Sequence, residues 1–136
     1  MGQVDFKNLR KSFGSTNIID GLNLEIHNSE FLVLLGPSGC GKSTTLRLLA
    51  GLESVSSGTI FIDGCDVTEL EPRDRDIAMV FQNYALYPTM TVEQNIGFGL
   101  KAKKMSPKLI KEKVNEVADL LGLSLIHISE PTRQKP

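Results

Sequence analysis

Three shortages narrow the 136-residue chain before any motif is read: it has only two cysteines, almost no net charge, and no long apolar run. Cys40 lies inside a glycine-rich loop where a disulfide would obstruct a ligand, and Cys65 follows a turn glycine, so the expected compartment is reducing and cytoplasmic. Fifteen Lys and Arg against sixteen Asp and Glu leave a net charge of −1, which gives no electrostatic case for nucleic acid or an anionic membrane. No apolar stretch approaches the ~20 residues of a membrane-spanning helix, and Met1 to Asp5 lack a signal-peptide pattern. Met1-Gly2 does not make a myristoylation site, because Phe6 stands where Ser or Thr is required. With 40% hydrophobic and 23% charged residues, the composition is that of one soluble globular domain with a real core.

What is present is organised around Gly36-Pro37-Ser38-Gly39-Cys40-Gly41-Lys42-Ser43-Thr44, which fits the phosphate-binding P-loop pattern G-x-x-x-x-G-K-[ST]. Phe31 to Leu35 before it read as a strand buried on both faces. Leu46, Leu48, Leu49 and Ala50 after it supply the apolar positions of a short helix that Gly51 can end. Strand, glycine-rich turn and helix are the context this motif requires. Gly36, Gly39 and Gly41 are expected to allow positive φ and close approach of a phosphate, with backbone N–H groups and the helix N-terminus facing the anion. Lys42 would reach the β- and γ-phosphates, and the Ser43 hydroxyl can ligate Mg²⁺.

Along the chain, Val4 to Phe13 and Ile18 to Ile26 read as two strands joined by a turn at 14–17, an antiparallel pair with one wet face. On position alone Phe13 reads as a core residue and His27 as a surface histidine. Thr59 to Gly64 reads as a strand entering an Asp-Gly turn. Glu71 to Asp76 reads as a solvated connection. Ile77 to Phe81 is a second buried strand ending on Gln82, at the end of a parallel strand where ligands bind, though a simple strand-end cap fits that position better. Tyr84 to Pro88 is either a partner surface or a satellite core. Thr91 caps a helix starting at Val92, and Ser106-Pro107 opens another whose apolar stripe is Ile110, Val114, Val117 and Leu121, ending at Gly122. The lysines from Lys101 to Lys113 read as solvated faces.

With these stretches in hand, the chain resembles the ATP-binding subunit of ABC transporters, in particular those of maltose-type and glycerol-3-phosphate-type sugar importers. The matching words are Gly36 to Thr44, Leu48 to Glu53, Asp74 to Gln82, Tyr84 to Val92, Asn95-Ile96 and Phe98-Gly99-Leu100. They extend the likeness over nearly everything from Val4 to Leu123. The resemblance implies an α/β P-loop NTPase fold of the ABC type, its N-terminal half: antiparallel strands plus RecA-like core strands and helices. It implies ATP and Mg²⁺ as cofactors, with Gly36, Pro37, Ser38, Gly39, Cys40, Gly41, Lys42, Ser43 and Thr44 around the phosphates. Phe13 falls where the family stacks an aromatic on adenine. Gln82 becomes a Mg²⁺ ligand and positioner of the attacking water, catalytic together with Lys42, while Ser43 and Gln82 are the metal ligands. Tyr84 to Pro88 would face transmembrane permease subunits. A second ATP-binding subunit would complete a nucleotide-sandwich dimer on the inner face of the plasma membrane, with no nucleic acid involved.

The sequence contains no Leu-Ser-Gly-Gly-Gln-type stretch, no apolar strand ending in Asp-Glu and no switch histidine beyond them; His127 stands too early. The resemblance therefore implies a domain part over 1–122 that binds nucleotide without competent hydrolysis. Its alternatives are a non-transporter ABC-type ATPase and an inert nucleotide-binding fragment. Residues 123–133, Leu-Ser-Leu-Ile-His-Ile-Ser-Glu-Pro-Thr-Arg, read as the in-frame translation of a transposon-type sequencing adapter, which makes 123–136 a non-native tail. The two buried runs need strand neighbours on both sides, so an isolated chain is expected to be poorly soluble or molten.

Overall fold

The computed structural model describes residues 2–123; the tail reading over 123–136 therefore lies, apart from Leu123, outside the described residues. The chain divides into two compact units, one ending at Met79 and one beginning at Val80, and each is described by itself.

In the first unit, β1 (Val4–Phe13) and β2 (Thr16–Ile26) form an antiparallel hairpin. The turn is shorter than the expected four residues: only Gly14 and Ser15 connect the strands, and Gly14 takes the positive φ of 58° that a tight turn needs. β3 (Ser57–Ile62) pairs with the other edge of β1, placing Phe6 opposite both Leu24 and Ile60. Asp63 and Gly64, both at positive φ, then reverse the chain into the two-residue β4 (Cys65–Asp66), as the Asp-Gly signal predicts. The sheet order is β2-β1-β3-β4. Both edges of β1 slip register near Asn8, which sits at φ 47° and exchanges hydrogen bonds with Asn23.

Onto this sheet packs α1 (Lys42–Ala50), closed at Gly51 with φ 75° as expected. Its Leu48 joins Phe6, Leu9, Ile19, Ile60 and Val67 in the buried cluster of the unit. The connection at 71–76 is a correction to the sequence reading. It contains a 3-10 turn at Pro72–Asp74, and Arg75 is buried instead of solvated. Its guanidinium donates to the carbonyls of Leu48, Leu49, Thr68 and Leu70 at 2.8–3.1 Å.

The second correction concerns the two expected core strands. Neither 31–35 nor 77–81 is a strand, and the flanks are open: Phe31 is 91% exposed, Leu35 88% and Val80 94%. A central strand draws its ladder bonds entirely from neighbours, and every strand among the described residues belongs to the antiparallel sheet. The runs have the right composition and no partner to pair with. Such apolar segments drive association, so sedimentation of the isolated chain is expected to show mass rising with concentration. A concentration-independent monomer with one sharp thermal transition would contradict this.

In the second unit, Thr91 caps α2 (Val92–Ala102) and Gln94 returns the hydrogen bond to the Thr91 N–H, a reciprocal box that satisfies two helix-end donors. Ser106 caps α3 (Pro107–Leu120), with Pro107 in its first turn. The helices touch at Gly97, where a methyl group would lie 3.0 Å from Ile110 and 3.3 Å from Val114. Val114 is fully buried, with Ala118 beside it on the helix almost as deep, whereas Val117 and Leu121 are exposed, so the expected stripe is covered only in its first half.

Candidate functional site

Gly41 ends the glycine-rich loop as the N-cap of α1 at φ 79°, and no side chain caps the helix there. No acidic residue occupies the first turn either, so its N–H groups and the positive end of the helix dipole are available to an anion. Gly39 also has positive φ, at 80°, but Gly36 does not. A methyl group on Gly36 would meet the Cys40 sulfur at 2.5 Å, a contact that rotation of the cysteine side chain relieves, whereas one on Gly41 would meet the Ile18 side chain at 2.8 Å and its carbonyl oxygen at 3.1 Å. The loop is therefore tight against β2 as well as turned.

The Lys42 ammonium folds back over this loop, donating to the Gly36 carbonyl at 2.6 Å and more distantly to that of Pro37 at 3.4 Å. The Cys40 N–H closes a turn on the Pro37 carbonyl, and Thr45, buried behind the loop, donates to the Gly41 carbonyl at 2.8 Å. Phe13, Ile18, Ser38, Gly39, Gly41, Lys42, Ser43 and Thr44 line one cavity of about 220 Å³. A cation, two hydroxyl-bearing residues at a helix N-terminus and an aromatic ring at the rim suit a phosphorylated ligand that also carries a planar group. A larger hollow of about 730 Å³ lies in the second unit, between Met90, Gly97, Phe98, Lys101 and Ile110, but the glycine loop has no counterpart there.

Phe13 is 47% exposed at the cavity, not in the core where position alone would put it. Gln82 belongs to the second unit, exposed in a turn that the Tyr84 N–H closes on the Phe81 carbonyl at 3.1 Å. Tyr84 and Ala85 follow at φ 62° and 48°. The loop is fastened to α2 by Asn95, whose side chain accepts from the Tyr87 N–H and donates to the carbonyls of Tyr87 and Thr91, and by Tyr87 against Phe98 at 4.5 Å between ring centres. Tyr84 and Leu86 remain exposed.

Among the described residues no three His, Cys, Asp or Glu side chains gather where they could hold a metal. The Ser43 hydroxyl beside Lys42 fits Mg²⁺ all the same, because that ion is held by one or two protein oxygens, phosphate oxygens and water.

Two buried cations outside the cavity escape sequence reading. Lys11 is buried, donating to the Ser54 carbonyl at 2.6 Å and pairing with Glu53 at 3.0 Å. The hydrogen bond from Lys11 to the Glu53 carboxylate lowers the Glu53 pKa from its ordinary value. The signal was available: Leu9, Lys11 and Phe13 alternate on one face of β1. Arg75, the second, gives no comparable signal.

The sequence profile of the ABC transporter family matches residues 19–135. The chain is 52% identical over 124 residues to the sn-glycerol-3-phosphate import ATP-binding protein UgpC of Bordetella avium, covering 90% of this chain and 34% of that protein. It is 60% identical over 105 residues to the oligosaccharides import ATP-binding protein MsmX of Bacillus subtilis, covering 77% and 29% respectively. It thus spans about a third of the length of these relatives. Among solved structures it resembles the ATP-binding cassette MJ0796, a dimer in a post-hydrolysis state bound to ADP and Pi, with a TM-score of 0.82 and 27% identity over 98% of this chain and 63% of that one. The profile covers most of the chain and the fold agrees with it: this protein belongs to the ABC transporter family.

Proposed function

We propose that the chain is the Mg-ATP-binding portion of the ATPase subunit of a sugar-type ABC importer. The observation that carries this reading is the convergence of Lys42, the tight glycine loop, the open N-terminus of α1 and the Phe13 ring on one cavity. Lys42 leaves its loop carbonyls to contact the β- and γ-phosphates, and the amides of Gly39 to Ser43 receive phosphate oxygens. Phe13 offers a face to the base. Ser43 would hold Mg²⁺, which would supply charge neutralisation at the phosphates, and in a complete ATPase domain Gln82 would serve as a further ligand and position the attacking water. Tyr84 to Pro88 docks on permease subunits at the inner face of the plasma membrane, supported by the names of the import relatives and by the exposure of Tyr84 and Leu86. A second ATP-binding subunit closes the sandwich, as the dimeric neighbour suggests.

Lacking a signature stretch and a strand ending in Asp-Glu, this chain binds nucleotide without turning it over. Equilibrium binding of Mg-ATP with Lys42→Ala as comparison tests the reading. Loss of a charge-assisted contact worth about 1.5–3 kcal/mol should weaken binding roughly 10- to 150-fold. Undiminished binding by Lys42→Ala would refute the P-loop assignment, and Lys42-dependent hydrolysis would refute the inactivity.

A further inference from the structure

The base-binding face of the cavity is set by a side chain outside it. The Lys11 ammonium lies over the Phe13 ring, 4.8 Å from its centre, yet Lys11 does not line the cavity, whereas Phe13 does. The ammonium is held from its other sides by the Ser54 carbonyl and the Glu53 carboxylate. Glu53 and Ser54 lie in the loop that leaves the C-terminal end of α1, the helix whose N-terminus carries the phosphate loop. Phe13 is half-exposed next to the two-residue turn. A cation over one face fixes it and leaves the opposite face for a planar ligand.

We propose that Lys11, anchored by Glu53 and Ser54, is a positioning residue that presents the Phe13 ring to the purine base of the nucleotide. The phosphate cradle and the base platform are thereby both referred to α1, one at each end. This rests on the proposed nucleotide site and deepens it: Lys11 governs the part of the affinity that depends on the base and leaves the part that depends on phosphate untouched.

Equilibrium dialysis of the full chain at low micromolar concentration, with labelled Mg-ATP and with Mg-tripolyphosphate as competitor, separates the two parts. Lys11→Met keeps the aliphatic stem and removes the charge. It is expected to weaken ATP binding about fivefold while leaving tripolyphosphate unchanged, and Lys11→Arg, which keeps the cation, should recover most of the loss. Phe13→Leu should bring ATP down towards the tripolyphosphate level. If Lys11→Met does not fold, Glu53→Gln at the more accessible end of the same pair should give a smaller loss of the same selectivity. Equal weakening of both ligands, or of neither, overturns the proposal, the first because Lys11 would then only hold the unit together. Lys42→Ala run alongside keeps the two readings apart: tripolyphosphate binding that survives that change, or is absent from the unaltered chain, refutes the nucleotide site itself and this proposal with it.

Discussion

Gly58→Ala should abolish slow amide exchange throughout β1 and β3. Gly58 sits in β3 at φ 91°, beside the point where β1 slips register. A methyl group there would lie 2.3 Å from the Asn8 carbonyl oxygen and 2.7 Å from the Asn8 carbonyl carbon and the Leu9 Cα. All three obstacles are backbone atoms, so no side-chain rotation relieves the clash. The backbone must move instead, next to Leu9 and Ile60, which are fully buried and join the two strands to the core. Left-handed strain of about 1–2 kcal/mol adds to the loss of that packing, at about 2–5 kcal/mol for one large apolar side chain. Together these are comparable with the roughly 5–15 kcal/mol that holds a whole domain folded. Gly64→Ala is the matched comparison: its φ is 76°, but nothing lies within 4 Å of the added methyl group. It should cost only the conformational strain of about 1–2 kcal/mol and leave β1 and β3 protected. Exchange in Gly58→Ala matching that in Gly64→Ala would show that the strands do not approach as described.

Arg75→Met should destabilise the first unit by about 1–3 kcal/mol, because the lost guanidinium leaves partly buried carbonyls without their donor. Leu49, Thr68 and Leu70 each accept from Arg75. Leu48 also receives the Gly51 N–H and suffers less. Leu48 and Leu49 lie in the last turn of α1, where a cation complements the negative end of the dipole. Burial lowers the Arg75 pKa, so desolvation opposes the arrangement and the carbonyls offset it. Arg75→Lys should recover little, since one ammonium cannot span carbonyls that a planar fork reaches together. The urea midpoint of amide exchange in α1 reads the effect. A midpoint unchanged in Arg75→Met would mean that water serves those carbonyls as well as the arginine does.

Arg75 also marks a limit of sequence reading. Gly14, Gly51, the Asp63-Gly64 turn, Thr91 and Ser106 act within a few residues of themselves, so their roles were legible. The turn of the glycine-rich loop into α1 was legible for the same reason, its groups lying between Gly36 and Thr45. Arg75 instead serves Leu48 and Leu49, 26 and 27 positions away, and a charged stretch rich in Glu and Asp gives no hint of that. Lys11 finds Ser54 at a greater remove, 43 positions, although its place between Leu9 and Phe13 on one strand face is a signal for it. The runs at 31–35 and 77–81 show the opposite failure. Their apolar composition is that of central strands, but a strand exists only through its neighbours, and composition does not say whether those neighbours are there.

The short turn between β1 and β2 has a consequence in time. A hairpin closed by two residues forms on the order of microseconds, while β3 must bring Ile60 back to Phe6 across the whole phosphate loop and α1. On a ribosome adding about 5–20 residues per second, the hairpin has seconds to form before β3 is synthesised. The exposed edge of β1 is thus a waiting template, and the glycine-rich loop is threaded between a hairpin that can form early and a strand still to come.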